Sequence, residues 1–123
     1  TGATRDNDDE KYDYEGFISP AVIHRFGEYM HKHRLQTDGS VRDSDNWQLG
    51  IPKAQYVKSA WRHFLDWWAI SRKAPVREQD VEEALCALMF NTMGYLHEVL
   101  KEKGKIEQAV HSMAKPSTHF HGM

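Results

Sequence analysis

The sequence predicts an all-α fold, a three- to four-helix bundle with a long loop between its first two helices. Three observations predict it. Apolar residues recur at spacings of three and four in successive segments. No window alternates with period two over any length, so no strand is expected. Residues that start and stop helices also stand where the periodic segments begin and end.

The first helix is expected to start at Ser19-Pro20. Serine caps free amides, and proline at the first helical position gives up an amide that has no intrahelical partner anyway. Val22, Ile23, Phe26 and Met30 then mark its apolar side, and it runs to about Arg34. His31, Lys32, His33 and Arg34 place cations at the negative end of its dipole. Residues 35–51 read as a loop, with Asp38-Gly39 and Gly50 as turn signals, and it carries Trp47, a residue costly to leave in solvent. The second helix opens at Pro52 and runs to about Arg72, with Tyr56, Val57, Ala60, Trp61, Phe64 and Trp68 as its expected buried stripe. Lys73-Ala74-Pro75 ends it. The third spans about Glu78 to Lys103, with Val81, Leu85, Leu88, Thr92, Leu96 and Val99 at core spacing, and Gly104 stops it. A short fourth helix is expected over residues 106–113.

One domain is expected over residues 1–123: an irregular arm (1–16), a helical core (17–104), then a short helix and polar tail (105–123). The arm holds an acidic cluster at Asp6, Asp8, Asp9 and Glu10. Hydrophobic residues form 40% of the chain and charged residues 28%, too apolar for a disordered protein. The net charge of −2 argues against wrapping duplex nucleic acid or lying on a membrane surface, both of which need a basic face. A small anionic ligand remains open, since a few local cations can hold it. The single cysteine, Cys86, cannot close an internal disulfide, and no apolar run spans a bilayer, so a cytoplasmic setting is expected.

Several residues stand out as candidates for chemistry. Asp80, Glu83, Ala87 and Asn91 share one stripe of the third helix. Oxygen ligands beside a small residue suit Mg²⁺; equally, the two acids can complement the helix start while Asn91 bonds a neighbouring helix. On the second helix His63 and Asp66, three apart, can form a general base or a metal ligand, or a half-buried structural pair. Arg62 beside them suits phosphate oxygens. His24, Glu28 and His31 have zinc-compatible spacing on the first helix, or form a solvated face. His119 and His121 lie in the tail. Trp47 with Asn46 can stack on a base, or plug the loop onto the helices. Trp67 and Trp68 are adjacent, so one of them must face a partner or an interface.

The order of these residues resembles a known family. Gly2-Ala3, Arg5-Asp6, Lys11, Asp13, Asn46-Trp47, Gly50-Ile51-Pro52, Arg62-His63, an aromatic pair, Ala84-Leu85 and Asn91 look like the phage-type dATP/dGTP diphosphohydrolase N-terminal domain, an all-helical relative of MazG-type pyrophosphohydrolases. The resemblance covers residues 2 to about 100. It implies Mg²⁺-dependent cleavage of a (deoxy)nucleoside triphosphate to a monophosphate and pyrophosphate, in phage nucleotide metabolism. It implies Asp66, Asp80 and Glu83 as metal ligands, with His63, Asp66 and Glu83 as the catalytic set. Lys58 and Arg62 would meet phosphates, and Asn46, Trp47 and Asn91 would meet the rest of the nucleotide, in a homo-oligomer. MazG-type enzymes carry ExxE and ExxD pairs, whereas this second helix offers His63 and Asp66. The alternative class is therefore a non-catalytic module that sequesters nucleotides against host defence, or binds a protein partner.

Overall fold

The computed structural model describes residues 11–75, 78 and 80–114. The Gly2-Ala3 and Arg5-Asp6 motif, the acidic cluster and the tail histidines His119 and His121 lie outside the described residues. The protein is all-α, with helix-on-helix packing of the bundle kind. Five α-helices follow one another among the described residues: α1 (Tyr14–Phe17), α2 (Pro20–Lys32), α3 (Lys53–Ser71), α4 (Val81–Glu102) and α5 (Lys105–Ala114). None is long and apolar enough to cross a membrane. The chain divides into two compact units at Val41/Arg42.

In the first unit the expected arm contains α1, one turn capped by Asp13, whose carboxylate accepts the Gly16 N–H at 2.9 Å. α2 begins where its cap residues place it: Ser19 Oγ accepts from Val22 N at 3.3 Å, and Pro20 occupies the first helical position. It ends at Lys32 rather than Arg34. The expected loop carries structure of its own. Leu35 bridges Val41, and Asp38 accepts from both the backbone N–H and the hydroxyl of Ser40, at 2.9 and 2.6 Å. Those two donors hold the Asp38 carboxyl below the usual carboxylate range.

In the second unit the remainder of that loop folds into a 3₁₀ turn, Asn46–Leu49, before Pro52 leads into α3. α3 stops on a residue in the left-handed region, Lys73 at φ 57°, with Lys73 N–H donating to Ile70 O and Ala74 N–H to Ala69 O. These two bonds form a Schellman motif, which usually places glycine where Lys73 stands. α4 starts at Val81 and not near Glu78, because the carboxylates just before it bind backbone amides. Glu78 accepts from Asp80 N, and Asp80 accepts from Glu82 N, each at 2.9 Å. Gly104, at φ 67°, separates α4 from α5 as expected.

α3 and α4 form an antiparallel hairpin. Lys53 pairs with Glu102, Tyr56 meets Gly94 and Ser59 meets Asn91, so numbers rise along one helix as they fall along the other. α5 and the 3₁₀ turn both pack on α4.

The side of the hairpin that is buried corrects the stripe expected from periodicity. Val57, Trp61, Phe64 and Trp68 are exposed, as are Leu96 and Val81. Of the α3 stripe Tyr56 is buried as expected, and the helices meet through it with Ser59, His63 and Asp66 on α3, and Ala84, Ala87, Asn91 and Gly94 on α4. Both sets repeat at intervals of three, four and three. The α4 set is small, so the two backbones come close together. A Cβ at Gly94 would fall on the Tyr56 ring. The larger apolar residues are left flanking the contact.

Candidate functional site

The seam between α3 and α4 is polar in its middle. Asn91, 4% exposed, donates from Nδ2 to Ser59 Oγ at 3.2 Å and to Ala87 O at 2.9 Å. It thus bonds the neighbouring helix, one of the two roles its sequence position allowed. Stepping two turns along each helix from this contact sets Asp66 against Ala84. Asp66 is 5% exposed, a carboxylate buried deeper than any aromatic of α3 except Tyr56. His63 Nδ1 lies 3.9 Å from Asp66 Oδ2. Burying a carboxylate is costly unless it is hydrogen-bonded or paired, so Asp66 depends on its partners in the seam.

Tyr56 closes the seam at its other end. Its hydroxyl is buried and makes no hydrogen bond among the described residues. Burial pushes its ionisation upward, and the Glu98 carboxylate adds to the effect. Ion pairs then tie the ends of the hairpin. Lys53 Nζ sits 2.8 Å from Glu102 Oε2, a bond that holds the lysine's pKa above its usual value. Lys101 Nζ lies 3.1 Å from Glu98 Oε2 and 3.5 Å from the Gln48 carbonyl, so it also touches the 3₁₀ turn.

No family model, curated protein or solved structure matches this chain. The site therefore rests on its own geometry.

That geometry gathers some of the residues singled out in the sequence and separates others. His63, Asp66 and Asn91 belong to one seam. Glu83 is half-buried on α4, one residue before the Ala84 that faces Asp66. Asp80 is exposed, and one carboxylate oxygen is taken up in capping α4. Arg62 and Lys58 are exposed on α3, on the flank away from Trp61 and Phe64. Trp47 packs edge-on against Phe90 and His97 of α4, with ring centroids 6.1 and 5.0 Å apart. It fastens the 3₁₀ turn to the helix, and Asn46 beside it is exposed. His24, Glu28 and His31 are exposed on α2. Among the described residues no three His, Cys, Asp or Glu side chains come together as a metal-holding group.

Reading large apolar residues as the buried stripe found Tyr56 but concealed Ser59 and Gly94. The signal that marks them is the repeat of small and polar residues at three, four and three on both helices. It appears only when the two helices are aligned in antiparallel order.

The hairpin thus has two unlike flanks. One carries Arg62 and the edge of the seam holding Asp66. The other is an apolar groove of about 580 Å³ lined by Val57, Trp61, Phe64, Leu96 and Val99 among others. A carboxylate next to an imidazole can accept a proton from water or bind part of a cation's shell. The groove has no such chemistry.

Proposed function

We propose that this protein is a Mg²⁺-dependent (deoxy)nucleoside triphosphate pyrophosphohydrolase acting in the cytoplasm. The observation that carries the reading is Asp66, a carboxylate enclosed in a helix seam with His63 beside it. It is joined by the order of residues resembling the phage dATP/dGTP diphosphohydrolase domain.

The donors suit magnesium by type. Mg²⁺ keeps several waters and takes one or two carboxylates together with substrate phosphates, so it needs no protein cage of three or more acids. Asp66 and Glu83 are the residues that would hold it. Asp80 drops from that set because capping occupies its oxygen. When bound, the ion would neutralise phosphate charge and polarise the α-phosphate. His63, with Nδ1 3.9 Å from Asp66 Oδ2, would take a proton from water. Arg62 and Lys58 would supply cations for phosphate oxygens from the same flank of α3, and the exposed Asn46, next to Trp47 in sequence, would contact a base.

The test is pyrophosphate release from the four dNTPs with Mg²⁺. The reading expects turnover that falls by at least a hundredfold in Glu83→Ala and in Asp66→Asn, each checked for native helicity. No release above the Glu83→Ala background would reject it.

A second reading keeps binding without the reaction: a module that holds nucleotides or a protein partner. It is favoured by Asp80, whose carboxylate caps α4 and so leaves fewer acids for a metal. A thermal shift with nucleotide in EDTA, unaccompanied by pyrophosphate release with Mg²⁺, would select it.

A further inference from the structure

We propose that the apolar groove between α3 and α4 is the interface of a two-fold homodimer, seating the same groove of a second copy of this chain. Val57, Trp61, Phe64 and Trp68 form one stripe on α3, and Leu96 stands across from them on α4; all five are exposed. Trp61 alone is 67% exposed and Leu96 55%. Monomers rarely leave contiguous apolar patches of this size in water.

Three features select a second copy over other occupants. First, none of the residues lining the groove carries a charge. An isologous contact puts each group near its own counterpart, so a charged lining would repel itself, whereas this one does not. A nucleic acid or a charged peptide finds no counter-charge here. Second, the face is self-complementary. The hollow of about 580 Å³ is roughly four times a cavity that holds one benzene ring, and Trp61 and Phe64 stand at its wall as projecting rings. A two-fold axis delivers the rings of each copy to the hollow of the other. Third, the size is right. The exposed parts of these side chains amount to roughly 500–700 Å² of apolar surface, close to the ~800 Å² per partner of a standard stable interface. Two antiparallel hairpins joined in this way form four packed helices, which supplies the large-residue core that a single hairpin lacks.

The proposal is independent of the enzymatic reading, because the groove lies on the flank away from Asp66 and Arg62. Sedimentation velocity of the full chain, over a series from nanomolar to tens of micromolar, tests it. The expected result is a reversible shift from the 14.3 kDa chain to twice that mass. Trp61→Glu and Leu96→Gln should each raise the dimer dissociation constant, Trp61→Glu by on the order of a hundredfold. Gln55→Glu, on an exposed position of α3 outside the groove, should leave it unchanged. A wild-type chain that keeps the single-chain mass throughout overturns the proposal, whatever its variants do. So does a dimer that persists unchanged in helical Trp61→Glu and Leu96→Gln, since it would then use another face.

Discussion

Seam and groove adjoin on the same two helices, yet each holds what a simple reading assigns to the other. The seam buries Asp66 and Asn91, while the groove leaves Trp61 and Leu96 in solvent. The difference teaches that side-chain size as well as polarity decides which faces of two helices meet. Ala84, Ala87 and Gly94 allow close approach along one line only. Polar groups on that line are admitted because Ser59, Asn91 and the Ala87 carbonyl satisfy one another. The bulky residues are displaced sideways, where a second surface is needed to cover them.

The largest expected effect comes from breaking the close approach. Gly94→Val places a branched side chain on the Tyr56 ring and should destabilise the fold by about 3 kcal/mol, the upper end of overpacking costs. Urea unfolding measures it. A loss under about 0.5 kcal/mol, ordinary for a surface site, would mean the helices do not meet at this point.

A second experiment separates capping from chemistry at the edge of the seam. Asp80→Ala should cost about 1 kcal/mol of stability by removing the α4 cap, and Asp80→Ser should restore it. Pyrophosphate release, if present, should survive in Asp80→Ser. Its loss there with stability intact would return Asp80 to the metal set.

Lys73→Gly concerns neither flank and calibrates both. Lys73 holds the left-handed conformation at φ 57°, which costs a side-chain-bearing residue about 1 kcal/mol relative to glycine. The variant should therefore be more stable by about that amount in the same urea series.

The smallest effect is expected at Tyr56. Its hydroxyl has no hydrogen-bond partner among the described residues, so Tyr56→Phe should change stability at neutral pH by less than about 1 kcal/mol, and in the favourable direction. The pH dependence carries a sign. Because burial favours the neutral phenol, this residue's contribution is fully present below the ordinary tyrosine range near 10 and is lost as pH rises through its elevated value. Tyr56→Phe should lose less stability than wild type between neutral and strongly alkaline pH. An equal or greater loss would show that the hydroxyl is not enclosed.

Much of the fold was legible from single residues. Ser19-Pro20, Pro52 and Gly104 mark boundaries because capping and backbone chemistry are local. The start of α4 was misplaced, since Glu78 and Asp80 compete for the same amides and only one register is realised. The buried stripe of α3 was misread for a different reason. Periodicity reports that Val57, Trp61, Phe64 and Trp68 share a side, but it does not report which surface covers that side. Of the site, His63, Asp66 and Asn91 could be picked out as polar residues in apolar surroundings. Ser59 could not, because its importance lies in Asn91, thirty-two positions away.

Both flanks take their meaning from the register of α3 on α4, and the Ser59–Asn91 contact defines it. A double-mutant cycle of Ser59→Ala and Asn91→Ala reads that contact directly. The account predicts a coupling of about 1 kcal/mol, as expected for a half-buried hydrogen bond whose two partners touch. Strictly additive losses would contradict the register, and with it the assignment of Asp66 to the seam and Trp61 to the groove.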